Sequence, residues 1–203
     1  MAPPADQPRA TGLLAHDTLV MQQVTSFMSN DFEILDTTGE HMIGRVVTTG
    51  GGLSRFFAGS RSREVLDADD TPLLHVEDPA DLGMDRFELS APDGAPLAEL
   101  RSRFAIFSTK VSLVLEDGEE LELYGDMFSL DYEFHRGEET LAGASRKWAG
   151  LERGVLGHSR YVLGMDPGTA PQLRLALIGG CIVLDLLRAK RARRNRRSAN
   201  SSG

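Results

Sequence analysis

Near the C-terminus, the run Leu173-Arg-Leu-Ala-Leu-Ile-Gly-Gly-Cys-Ile-Val-Leu-Asp-Leu-Leu187 is apolar on every side except at Arg174 and Asp185. Thr169 can cap a helix here, and Pro171 is tolerated in a first turn. A helix without a polar face must be surrounded, either by lipid or by protein. Length separates the two environments. The run gives roughly 22 Å of helix at 1.5 Å per residue. A bilayer core is ~30 Å thick and wants about 20 apolar residues. Asp185 inside lipid would add a further cost. A strand of six or seven residues rises about 20–23 Å. The run therefore matches the height of a small barrel better than a membrane. Leu175, Leu177, Ile178, Ile182 and Leu184 are the expected helical core, with the helix at about 170–188. Gly179 and Gly180 mark where bulky groups approach it closely, and Arg174 and Asp185 fall near its opposite ends.

What surrounds the helix is written upstream. Short alternating runs flank Asp/Gly turns, whose glycines supply the positive φ that tight turns need. Phe32–Asp36 precedes Gly39. Phe87–Ser90 and Leu97–Arg101 flank Asp93-Gly94. Val111–Leu115 and Leu121–Tyr124 flank Asp117-Gly118, and Tyr132–His135 and Leu141–Ser145 flank Arg136-Gly137. Leu121 and Leu123 alternate with Glu120 and Glu122, which marks strands with one wet face. Many short antiparallel strands imply a barrel or sandwich. Residues 49–60, 78–85 and 150–159 read as connections, and the spacing is too irregular for a propeller or solenoid.

A chain of 203 residues suits one domain with a real core. Its only cysteine, Cys181, permits no internal disulfide. Met1–Leu14 lacks a basic stretch followed by an apolar run, so no secretory leader is expected and the cytoplasm is the expected place. Net charge is −8, unevenly divided. Arg188, Lys190, Arg191, Arg193, Arg194, Arg196 and Arg197 hold seven of the 22 Lys and Arg residues, leaving 15 against 30 acids, or −15, elsewhere. An acidic body argues against specific nucleic-acid binding. The expected organisation is a flexible segment over 1–18, the domain over 19–187 and a basic, disordered tail over 189–203.

Motifs for chemistry are weak. Gly157-His-Ser-Arg-Tyr161 lacks the closing glycine of a nucleophile elbow. Gly50-Gly-Gly52 is not followed by the lysine of a phosphate loop. The five histidines form no zinc pattern. Asp67, Asp69 and Asp70 suit a hairpin turn better than a calcium loop. Asp131 and Glu133 suit a solvated strand face better than an acid/base pair, Cys181 a core filler, and Trp148 core packing. No catalytic residue, metal or cofactor is expected.

Several segments resemble the LURP-one-related family of the tubby C-terminal-like superfamily, to which the phospholipid scramblases are related. They are the Phe32–Gly39 hairpin, Tyr124-Gly-Asp-Met-Phe-Ser-Leu-Asp-Tyr-Glu-Phe134, Ala144-Ser-Arg-Lys-Trp148 and the helix from Leu175-Ala-Leu to Asp185. The resemblance spans roughly Leu19 to Leu187. It implies a mainly β, closed antiparallel barrel of about twelve strands around a central apolar C-terminal helix. It also implies a non-enzymatic, scramblase-like domain that binds lipid or lies peripherally on the inner face of a membrane. Met165-Asp-Pro-Gly-Thr169 has one acid where scramblases carry an acidic calcium loop. The basic residues Arg188–Arg197 are the expected contact with anionic phospholipid. Two alternatives stay open: a protein-interaction domain without a lipid ligand, and a single-span membrane protein anchored by 173–187.

Overall fold

The computed structural model describes residues 12–25, 30–49, 61–78, 85–104, 109–126, 129–146 and 160–200. A 3-10 turn, Gly12–Ala15, leads into twelve strands: β1 (Thr18–Thr25), β2 (Asn30–Leu35), β3 (Met42–Thr49), β4 (Arg61–Asp67), β5 (Pro72–Asp78), β6 (Asp85–Ser90), β7 (Pro96–Phe104), β8 (Thr109–Leu115), β9 (Glu120–Asp126), β10 (Asp131–Arg136), β11 (Glu139–Ser145) and β12 (Arg160–Met165). Each strand pairs antiparallel with its neighbours in sequence, and β1 pairs with β12 to close the barrel. Helix α1 (Pro171–Asn200) follows. Closure leaves no sheet edge to pair with another chain. The expected mainly β barrel around a C-terminal helix is the observed fold.

The two ends of the barrel differ because of turn chemistry. At one end the strands join by tight hairpins. Gly94 N–H donates to the Ala91 carbonyl at 2.9 Å and Gly118 N–H to the Leu115 carbonyl at 3.0 Å, with φ of 85° and 87°. These are the positive-φ positions that the Asp-Gly pairs signalled. Asp67, Asp69 and Asp70 occupy the equivalent turn between β4 and β5. The longer connections join the strands at the opposite end. The expected connections 49–60, 78–85 and 150–159, together with Trp148, lie largely or wholly outside the described residues.

Helix α1 enters at the hairpin end and fills the barrel. Leu177, Ile178, Ile182 and Leu184 are buried in one cluster with Leu74, Leu89, Leu113 and Phe134 from the strands, whereas Leu175 is only partly buried. A Cβ on Gly179 would lie 2.8 Å from both Leu74 Cδ2 and Leu89 Cδ1, and one on Gly180 3.1 Å from Phe134 Cζ. The two glycines let the strand side chains reach the helix axis.

Three boundaries depart from the sequence reading. The segment expected to be flexible through residue 18 is ordered from Gly12. Leu13 is fully buried, and its N–H donates to Asp67 Oδ1 at 2.9 Å. Thr169 does not cap the helix. Its N–H donates to the Asp166 carbonyl at 3.0 Å, and among the described residues its hydroxyl has no hydrogen-bond partner. Arg174 anchors the helix start in a different way, donating from Nε to the Thr169 carbonyl and from Nη1 to the His16 carbonyl, both at 2.9 Å, and pairing with Asp17. A buried guanidinium thus ties the helix start to the N-terminal turn. Finally, the helix runs on to Asn200, so the tail expected to be disordered from 189 is helical through that residue. Alanines and arginines favour helix, and cations are favourable near a helix C-terminus.

Two substitutions test this packing. Gly179→Val should lower stability by about 1–3 kcal/mol through overpacking. Leu177→Ala should lower it by about 2–5 kcal/mol through cavity formation. Urea unfolding monitored by circular dichroism measures both, and an unchanged midpoint in either variant would place the helix outside a packed interior.

Candidate membrane-contact site

Helix α1 leaves the barrel through the end opposite the tight hairpins, and the polar groups of the interior gather there. Tyr132, Tyr161, Cys181 and Asp185 are all nearly inaccessible to solvent. Inward alternation on β10 and β12 places the two tyrosines, while Cys181 and Asp185 lie four residues apart on one helix face. Tyr161 donates its hydroxyl to Asp185 Oδ2 at 3.0 Å. The other carboxylate oxygen faces Arg188 Nη2 at 2.9 Å, one turn on. Burial raises the Asp185 pKa, and Arg188, the Tyr161 hydrogen bond, Arg146 and Arg63 oppose that rise. A buried carboxylate is tolerable here because Arg188 pairs with it, with the charges of Arg63 and Arg146 acting in the same direction.

The same burial makes the interior chemically quiet. Desolvation pushes the Cys181 thiol up to about 12 and both phenols well above their ordinary value. Nucleophilic cysteines need the thiolate and hence the opposite shift. Cys181 is therefore a buried, unreactive thiol that fills the core. A thiol reagent at neutral pH should modify native Cys181 no faster than the protein unfolds. Labelling at a rate independent of added urea would show that the interior is open.

The sequence-derived cations divide into two groups. Arg188 lies at the mouth, partly exposed, and is engaged by Asp185. Lys190, Arg191, Arg193, Arg194, Arg196 and Arg197 lie on the helix beyond it, where the structure describes the backbone but not the side chains. Sequence reasoning missed Arg63, which is 4% exposed and shares the inward face of β4 with Val65. Its signal was a charge at an inward position of an alternating strand. Arg146 lay within a segment already noted but was assigned no role. Of the weak chemical candidates, Asp131 and Glu133 are exposed on the outer wall, alternating with inward Tyr132 and Phe134. Gly50–Gly52 and residues 157–159 lie outside the described residues.

Among the described residues no helix is long and apolar enough to cross a membrane. The segment 173–187, the alternative membrane anchor, is instead packed within the barrel.

A closed twelve-stranded barrel threaded by its own C-terminal helix is a tubby-like architecture. The chain belongs to the LURP-one-related family, whose model matches residues 17–185. The X-ray structure of an Arabidopsis thaliana protein aligns with a TM-score of 0.54, covering 83% of this chain and 91% of that chain at 15% identity. That likeness concerns the fold. No curated protein matches the chain.

The Asp185 environment has a pH signature. A carboxyl whose folded pKa is raised above its unfolded value binds its proton more tightly in the native state, so stability is lost as pH rises from the unfolded pKa through the folded one. Asp185→Asn should therefore gain stability relative to the wild type between about pH 4 and about pH 7. Parallel urea titrations at the two pH values measure this, and an unchanged difference would mean that Asp185 is not held in a desolvated site.

Proposed function

We propose that this chain is a non-enzymatic module that rests on an anionic phospholipid surface, at the cytoplasmic face of a membrane, through the basic helix leaving the barrel. The observation that carries this reading is the continuity of α1 from the buried interior to Asn200. The helix extension beyond Arg188 is about 20 Å long at 1.5 Å per residue. It carries Lys190, Arg191, Arg193, Arg194, Arg196 and Arg197.

That geometry answers an electrostatic objection. The remainder of the chain, Arg188 included, carries −14, and Asp126 and Asp131 face each other across β9 and β10 at the same mouth. Charges further apart than a Debye length, about 10 Å at 0.1 M salt, scarcely interact through water. A rigid rod carries the outer cations past that distance from the barrel. Each basic residue near an anionic leaflet contributes about 1 kcal/mol. The cations can then act on the membrane while the acidic wall stays in solution.

Sedimentation with vesicles tests the reading. Full-length protein should pellet with phosphatidylserine-containing vesicles at low salt, remain in solution with phosphatidylcholine alone, and be released by about 1 M salt. Replacing Arg193, Arg194, Arg196 and Arg197 by glutamine should abolish the binding while preserving helix propensity. Binding that survives those four changes would place the membrane contact elsewhere.

A further inference from the structure

The outer wall carries a groove of about 660 Å³ across β5 to β8 and the turn that follows β8. It extends from Gly94 and Gly118, at the hairpin turns, to Arg86 and Arg101, which pair in register on β6 and β7. From Pro96 to Arg101 it follows the strands for about 17 Å. Pro96 and Val114 contribute apolar surface to it.

A row of glutamates crosses this groove. Glu77 pairs in register with Glu88, and Glu88 with Glu99, so three carboxylates lie directly side by side on β5, β6 and β7. Strand spacing puts neighbours in such a row about 4.8 Å apart. Like charges directly opposite each other destabilise a sheet. Arg86 and Arg101 relieve the row only in part. Both converge on Glu99, at 2.9 and 2.8 Å, and Arg86 also reaches Glu88 at 3.3 Å. Among the described residues no ion pair reaches Glu77 or Glu116, which also line the groove.

We infer that this groove docks the basic helical extension, residues 188–200, of a second copy of the chain. Shape and charge both support that occupant. The extension is a straight element of about 20 Å, close to the groove's run along the strands. Its sequence supplies arginines, whose planar forks pair with carboxylates in two-bonded geometry. The extension cannot reach its own groove while helical, because it leaves the barrel at the far mouth and points away from the wall. The contact is therefore between copies and joins the tail of one to the groove of another, so it propagates unless two copies exchange tails reciprocally or a ring closes. Such assembly would withdraw the same cations from any membrane, but the docking stands on the groove and does not require the membrane reading.

Sedimentation velocity of the full chain, without lipid, tests the docking. The wild type should associate in a concentration-dependent manner at about 50 mM salt and dissociate at about 500 mM. Glu77→Gln, Glu88→Gln and Glu116→Gln together should weaken association about tenfold or more, as should glutamine at Arg193, Arg194, Arg196 and Arg197. Glu99 is retained because Arg86 and Arg101 depend on it. Mixing the two variants should form dimers and stop there, since the sole competent pairing joins the intact tail of one to the intact groove of the other. A wild type that is monomeric at low salt would overturn the proposal. So would a groove variant that associates as the wild type does, or a mixture that does not dimerise.

Discussion

The contact between the all-apolar helix and the inward faces of twelve strands is the constraint on which the molecule depends. A barrel of this size without a filling has an interior its own side chains do not reach across, and a helix without a polar face has no stable existence in water. Each solves the other's problem. Gly179 and Gly180 set the closeness of fit by admitting Leu74, Leu89 and Phe134 to the helix surface. Burial of the helix also explains why a cysteine and two tyrosines can sit in the interior without becoming reactive.

The ends of the helix meet a different demand, because a charge there must have partners. Arg174 finds them at the hairpin end in backbone carbonyls and Asp17, and so draws the N-terminal turn across that end. Asp185 finds Tyr161 and Arg188 at the other. The first arrangement closes the barrel. The second marks where the chain changes from a buried apolar core element to a basic helix outside. One continuous helix thereby connects the most protected part of the molecule to its most highly charged part.

Much of this was legible in the chain. The Asp-Gly turns and alternating runs identified β2 and β6 through β11, and the length of the apolar run favoured a barrel over a bilayer. Strands β1 and β12 were harder to see. Val20 and Val162 are paired and buried along with Leu35, apart from the main core, so both faces of these strands are apolar in part and the alternation is lost. In β4, Arg63 points inward and breaks the period-2 pattern. The helix end was misplaced because a dense run of cations looks like a solvated tail, although arginine and alanine are good helix formers and the dipole favours cations there. At the candidate site the tail cations were visible from composition. Arg63 and Arg146 became visible only when closure of the barrel brought β4, β11 and the helix to one mouth. The glutamate row likewise depends on register between strands, which no single run of sequence reveals.

Native-state hydrogen exchange tests the central claim directly, since it reads the stability of each amide within the intact protein. If the helix is the core of the barrel, the amides of Ala176–Leu187 exchange only by global unfolding, with the same free energy and denaturant dependence as the most protected amides of β7 and β10. If those helix amides instead exchange through a smaller opening while the strands remain protected, the helix is a removable insert and the barrel stands without it.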